Sequence, residues 1–228
     1  MNGAAPPPRS EPELESRAAG IAGMTLAELA QQLGRTLPRD TRSGKGFAGQ
    51  LVESALGASA GSLPEPDFQH IGVELKTLPV GADGRPLEST YVCTVPLEAQ
   101  ASPRWSDSAV YRKLSRVLWL PVEAARALPL ARRRIGSAIL WSPDAAQEAR
   151  LRADWEELMD LIALGQVAQI TAHQGSCLQV RPKAADASAR RWGVDERGVR
   201  VRTLPRGFYL RSSFTAAILA RRYAGIPG

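Results

Sequence analysis

The residues with the clearest chemical potential lie in one short stretch, Pro66-Asp67-Phe68-Gln69-His70-Ile71-Gly72-Val73-Glu74-Leu75-Lys76-Thr77. In a strand, side chains alternate between faces, so Glu74 and Lys76 share one face while Val73, Leu75 and Thr77 take the other. Two carboxylates, Asp67 and Glu74, with a lysine beside them form the pattern of a metal-dependent phosphodiesterase. The carboxylates offer hard oxygens to Mg²⁺, and the Leu75 carbonyl can add another, with waters completing the shell. Such an ion neutralises a scissile phosphate and lowers the pKa of a bound water, with the Lys76 ammonium near the water or the phosphate oxygens. Lysine suits that place better than arginine because its charge is compact and its pKa shifts readily on burial. An acid–lysine pair also describes a plain solvated strand face, and spacing alone does not separate the two.

Other positions could complete such a site. Glu53 falls off the apolar face of a helix expected over 47–56, which makes it either a third acidic group or an ordinary surface glutamate. Lys45 and Gly46 precede that helix and could present a cation and a backbone N–H to a phosphate. The GxxxxGK[ST] spacing is absent, so nucleotide hydrolysis is not supported. His70 and His173 have no Cys or His neighbours at zinc spacing. Arg181-Pro182-Lys183 ends an expected strand in a stiff cationic loop. It is a candidate base reader, since arginine can bind guanine O6 and N7 bidentately, or else a surface turn. Tyr209 stands between Arg206 and Arg211 and could test a base edge or methyl group. Arg132-Arg133-Arg134 reads equally as a phosphate track or a solvated basic run.

The elements that must position these groups follow from pattern. Residues 1–10 (MNGAAPPPRS) read as a disordered leader, and 11–228 as a single domain whose pattern is compatible with two lobes. Two short helices are expected over 11–33, the second opened by a Thr25–Glu28 capping box. A helix over 47–56 ends at Gly57. Strands are expected over 72–80, 87–95, 117–122 and 135–141, the first two joined as a hairpin through Asp83-Gly84. Ser142-Pro143 should cap the longest helix, which runs to about Leu164 and turns Leu151, Trp155, Leu158 and Ile162 toward a sheet. A strand near 177–180, another at 207–211 and a helix over 213–223 close the chain. The fold class is mixed α/β, without regular βαβ alternation or internal repeats.

Composition narrows the partners. The chain has 228 residues, a net charge of +6, and 44% hydrophobic and 23% charged residues, a globular rather than a disordered balance. No apolar run reaches the length of a membrane span, no export leader is expected, and two distant cysteines suit a reducing cytoplasm. A modest basic excess fits a polyanion without naming one. Of the 29 basic residues only Lys45, Lys76, Lys113 and Lys183 are lysines. Arginine has taken most cationic positions, which draws attention to those four.

Taken together, KGFAGQLVESALGASAGSLPEPDF, GVELKTLPV, GRPLESTYVC, RVLWLPVE, SAILWSP, DWEELMDLI, QVRPKAA and TLPRGFYL resemble the MutH family of DNA mismatch-repair endonucleases, from about Thr25 to Tyr223. The resemblance implies a restriction-endonuclease-like fold, a mixed central sheet flanked by helices with two lobes around a DNA cleft. It implies Mg²⁺-dependent nicking of hemimethylated GATC duplex on the unmethylated strand, 5′ of the guanine, at cytoplasmic, nucleoid-associated DNA. Carried over by residue, Asp67, Glu74 and Lys76 match the catalytic motif and Glu53 its additional acid. Arg181, Pro182 and Lys183 match the reading loop, and Tyr209 the residue near the adenine methyl. Lys45 and Gly46 match a DNA-contacting turn, and Lys113 a DNA-facing lysine. Tyr91 stands where the family is expected to have Phe. Residues 186–199 match poorly and inherit no role. The resemblance also implies activation by a MutL-type ATPase that answers a MutS-type mismatch sensor. A type II restriction enzyme cutting both strands, and a non-catalytic DNA-binding repair scaffold, remain the alternatives.

Overall fold

Two sheets carry the two groups of candidate residues, and each sheet belongs to its own unit in the computed structural model. Residues 5–38, 46–61, 63, 65–98, 104–183 and 188–223 are described. The first unit comprises Met1–Glu88, Ser115–Ser142 and Ile218–Gly228, the second Ser89–Leu114 and Pro143–Ala217.

In the first unit, β1 (Glu74–Val80) pairs in parallel with β3 (Val117–Glu123), and β4 (Ile139–Trp141) adds antiparallel to β3. Parallel strands are buried on both faces, which explains the apolar runs ELKTLPV and VLWLPVE. Three helices supply the partner surface: α1 (Glu11–Ile21), α2 (Leu26–Gln32) and α3 (Phe47–Leu56). Leu14, Ala18, Leu26, Leu29, Leu51, Val52 and Leu56 pack with Leu75, Leu118 and Leu120 into one core. The Thr25–Glu28 capping box opens α2 as expected. Gly57 ends α3 at φ 84°, and its missing Cβ admits the Pro6 carbonyl, which would lie 2.3 Å from a methyl there. Residues 5 and 6 therefore lie against α3, with Ala5 N–H donating to Ser54 O at 2.9 Å. Arg116, just before β3, grips Glu11 with two N–H···O bonds of 2.6 and 2.8 Å and fixes α1 to the sheet.

The second unit is built on an antiparallel sheet in the order β2 (Thr90–Thr94), β8 (Arg206–Leu210), β5 (Leu178–Pro182). Side chains alternate along β5 and β8, while β2 shifts register between Tyr91 and Cys93. Leu178, Val180, Phe208 and Leu210 are buried on one face, while Gln179, Arg181, Tyr209 and Tyr91 take the other. α4 (Ala109–Leu114) and α5 (Ala145–Ala163) belong to this unit, as does a two-stranded ribbon of β6 (Arg191–Val194) and β7 (Arg200–Thr203). α6 (Ser212–Tyr223) is shared between the two divisions of the chain.

Three expectations need correction. The Asp83-Gly84 turn folds the chain back, with Leu87 N–H bonded to Pro79 O at 2.9 Å and an isolated antiparallel bridge between Val80 and Pro86, but the two expected strands do not pair with each other. β1 spends its ladder on β3, and β2 pairs instead with β8 in the other unit. The strand expected over 135–141 is only Ile139–Trp141. Gly136 N–H donates to Pro121 O at 2.8 Å, and Ile135 makes an isolated bridge to Val122. The long helix is capped by Asp144 in a capping box with Gln147, not by Ser142. The Ser142 hydroxyl donates to Ser115 O at 2.7 Å instead.

Candidate nuclease site and base-reading sheet

The acidic site is assembled on the outer edge of β1. Glu74 N–H donates to Arg116 O at 2.9 Å, toward β3. Because backbone polar groups of successive strand residues point to opposite edges, those of Leu75 must face away from β3. The Leu75 N–H indeed donates to Asp67 Oδ2 at 2.9 Å, so Asp67 and the Leu75 carbonyl share one edge. Asp67 is brought there by a tight loop. Phe68 and Val73 exchange backbone bonds of 2.9 and 3.3 Å around a 3-10 turn at Gln69–Ile71, which Gly72 closes at φ 66°.

Glu74 and Lys76 project from the sheet face opposite α1–α3, as alternation requires, and Lys76 Nζ bonds Glu74 Oε1 directly. Their side chains are only 2% and 14% exposed, so the pair is held out of bulk water. Glu53, by contrast, is exposed on α3 and lies on the other side of the strand. A methyl group at Gly49 would stand 3.8 Å from Glu53 Oε1 and 3.6 Å from Thr77 Oγ1. The structure thus brings Asp67, Glu74, Leu75 and Lys76 together and places Glu53 beside Thr77 of the same strand. Gly46 begins α3 at φ 83°, a left-handed conformation that favours glycine. Lys45 lies outside the described residues.

The donor set suits a hard divalent cation. Two carboxylates and a carbonyl are oxygen ligands of the kind Mg²⁺ takes while keeping several waters. Among the described residues no group of three or more His, Cys, Asp or Glu is arranged to hold a metal ion. A resident ion at this edge would therefore draw on carbonyl and water oxygens.

In the second unit the polar face of the antiparallel sheet gathers the other candidates. Tyr91 and Tyr209 are cross-strand partners with ring centroids 5.4 Å apart, edge to face. Lys183 Nζ sits 3.3 Å from the Tyr91 ring centroid, and the Arg181 guanidinium is 5.9 Å from that of Tyr209. The Tyr91 hydroxyl is within hydrogen-bond distance of Thr94 Oγ1 at 3.0 Å. Gly207 lies opposite Arg181 and makes room for both rings; a Cβ there would come within 2.9 Å of Tyr91 and 3.1 Å of Tyr209. Lys113 stands in the last turn of α4, half-buried.

Over 95% of this chain is covered, at 54% identity across 218 residues, by the DNA mismatch repair protein MutH of Serratia proteamaculans, and 96% of that protein in turn. The chain belongs to the MutH family. The family model for DNA mismatch repair enzyme MutH matches residues 56–154, which contain Asp67, Glu74, Leu75 and Lys76. The MutH proteins of Vibrio cholerae (53% over 219 residues, 96% of this chain and 99% of that protein) and Escherichia coli K12 (53% over 217 residues, 95% of each) agree. MutH membership makes the chain a DNA mismatch-repair endonuclease of restriction-endonuclease-like fold. A divalent metal and binding to DNA follow at that level of description.

Other residues support these candidate groups without a distinctive mark in the sequence. The Ser89 hydroxyl accepts from Gln179 Nε2 at 2.7 Å and meets Arg181 NH1 at 3.4 Å, steadying the arginine from a neighbouring segment. Asp154 on α5 is 7% exposed, and its carboxylate accepts the backbone N–H groups of Ser176, Cys177 and Leu178 at 2.8, 2.6 and 2.8 Å. That anchor fixes the start of the strand which ends in Arg181-Pro182. Arg206 faces Pro182 across the sheet. Its Nε is buried without a hydrogen-bond partner among the described residues, and burial lowers its pKa. Only an acid three residues after Leu151 on a helix, or an arginine before a glycine, was visible in the linear chain, and neither pattern is distinctive.

Proposed function

We propose that this endonuclease nicks the unmethylated strand of hemimethylated GATC duplex, 5′ of the guanine, with Mg²⁺ held by Asp67, Glu74 and the Leu75 carbonyl. The observation that carries the chemistry is the shared edge of β1, where Asp67 accepts the Leu75 N–H and Lys76 bonds Glu74. Mg²⁺, when bound, supplies charge neutralisation at the scissile phosphate and a water of lowered pKa. Asp67 and Glu74 provide the negative oxygens that place it. Lys76, held by Glu74 with little exposure, keeps an ammonium beside the phosphate or the attacking water. Glu53 serves as a further acid from the α3 side, and Lys45 with Gly46 contacts DNA ahead of that helix.

Specificity belongs to the second sheet. Arg181 and Lys183, stiffened by Pro182, read base edges in the major groove. Tyr209, packed edge to face on Tyr91, tests the adenine methyl position. Lys113 contributes a phosphate contact. Activation by a MutL-type ATPase under a MutS-type sensor completes the reading, at DNA in the cytoplasm.

The experiment compares unmethylated, hemimethylated and fully methylated GATC duplexes with Mg²⁺, with and without the ATPase. Nicking confined to unmethylated strands is expected, together with a loss of about 10²-fold or more for Glu74→Gln and Lys76→Ala, on the scale of a removed electrostatic stabiliser. Parent-rate nicking by either variant sinks the catalytic assignment. Equal cleavage of all three duplexes favours a type II restriction enzyme, and no cleavage under any condition favours a scaffold. Arg181→Ala should cost about 1–3 kcal/mol of discrimination at its base.

A further inference from the structure

The ribbon β6–β7 begins in the segment that the family resemblance leaves without a role, and it is rich in arginine. Between residues 188 and 203 there are five arginines, at 190, 191, 197, 200 and 202, against Asp195 and Glu196. Both acids are engaged locally. Asp195 Oδ1 accepts the N–H groups of Arg197 and Val199 at 2.9 and 2.8 Å, and Glu196 accepts from Gln169 Nε2 at 2.6 Å. The register Trp192↔Arg202 and Val194↔Arg200 puts Trp192, Arg200 and Arg202 on one face, and Arg191↔Thr203 puts the exposed Arg191 on the opposite one. On that opposite face Gly193 is pressed against Leu97, where a Cβ would meet Leu97 Cβ at 3.3 Å.

The Trp192 face is the exposed one. The indole is 38% exposed, with the guanidinium of Arg200 4.4 Å and that of Arg202 5.0 Å from its ring. Beside it an open groove of about 540 Å³ is lined by Thr94–Glu98, Arg191 and Trp192. A guanidinium stacked flat on an indole keeps its N–H edge available while losing side-chain freedom, which suits phosphate oxygens. Arg200 is partly neutralised by Glu98 at 2.8 Å; Arg191 and Arg202 meet no carboxylate among the described residues. The ribbon also springs from the reading strands themselves. β7 leads into β8, and at its base Lys183 N–H donates to Pro205 O at 2.8 Å.

From these observations we infer that the β6–β7 ribbon is a second DNA contact. Arg202, oriented by Trp192, and Arg191, which lines the adjoining groove from the other face of the ribbon, bind phosphates of duplex flanking the recognition site. The contact carries no base specificity. It sets affinity and salt dependence while Arg181–Lys183 sets sequence. The inference rests on the assignment of that loop to base reading.

The test measures binding of the full chain, without Mg²⁺, to hemimethylated GATC duplexes of about 12 and about 30 base pairs across a salt series. The variant is Arg191→Gln/Arg202→Gln, its fold checked by circular dichroism. Each phosphate contact contributes a slope of about 0.9 in log K against log salt, so losing two should flatten the slope on the long duplex by about 1.8. The parent's preference for the long duplex over the short one should fall with it, while the preference for GATC over scrambled sequence stays. Trp192→Phe should remove most of the DNA-dependent change in tryptophan fluorescence. A parent that binds and a variant with unchanged slope overturn the ribbon contact alone; so does a variant that loses GATC preference with its slope intact. A parent that binds no duplex overturns the functional reading as well.

Discussion

Replacing Asp154 by Asn removes a charge and keeps the shape, so it isolates what the carboxylate does. Asp154 Oδ2 accepts Cys177 and Leu178 N–H, and Oδ1 accepts Ser176 N–H. An asparagine has one acceptor oxygen. With that oxygen in the Oδ2 position, its NH₂ faces the Ser176 amide donor; reversed, it faces two. The milder arrangement loses one charge-assisted bond, about 1.5–3 kcal/mol, and weakens two others. There is little room to move away. Gly175 holds φ 77°, and a Cβ there would fall 1.9 Å from Leu178 O and 3.4 Å from the Asp154 carboxyl carbon. The expected destabilisation is about 2–4 kcal/mol, which at this chain length lowers Tm by roughly 5–15 °C. Urea melts followed by both tryptophan fluorescence and circular dichroism measure it, two probes being needed because the chain has two units. Glu156→Gln on the same helix is the control. Its partner Arg152 is an exposed neighbour one turn away, and the change should stay within about 0.5 kcal/mol. If Asp154→Asn were as mild as the control, the carboxylate would not be the anchor of β5.

Two further outcomes follow from contacts elsewhere in the chain. Gly207→Ala drives a methyl between Tyr91 and Tyr209; it should cost about 1–3 kcal/mol by overpacking and reduce methylation discrimination, and unchanged discrimination would uncouple the tyrosine pair from methyl sensing. The Arg116 hydrogen bonds hold the Glu11 carboxyl below its usual pKa. A depressed carboxylate contributes stability that is present above the unfolded pKa, near 4.5, and lost as pH falls through the lower folded value. Glu11→Gln should therefore flatten that part of the acid limb. Since both side chains are 34% exposed, the effect is under about 1 kcal/mol after screening, and parallel acid limbs for parent and variant would show the pair to be idle.

Much of the site was legible because it depends on local periodicity. Alternation along ELKTLPV put Glu74 and Lys76 on one face, and the structure has them bonded. In the folded sheet Gln179, Arg181 and Tyr209 stand on the face opposite Leu178, Val180, Phe208 and Leu210. Capping chemistry placed α2 and α3 because a cap satisfies donors within a few residues of itself. The sequence by itself therefore determined which residues share a face, where most helices begin and end, and the family.

Tertiary structure decided everything that depends on which strand meets which. The Asp83-Gly84 turn carries a hairpin signal, yet strand pairing is a choice among all available edges, and burial on both faces sends β1 to β3. The same holds for the anchors. Asp154 reaches amides 22–24 residues on, Ser89 reaches Arg181 from 92 residues away, and Arg116 clasps Glu11 across 105. No periodicity encodes such separations. They exist because buried amides and charges must find partners wherever the folded chain supplies them.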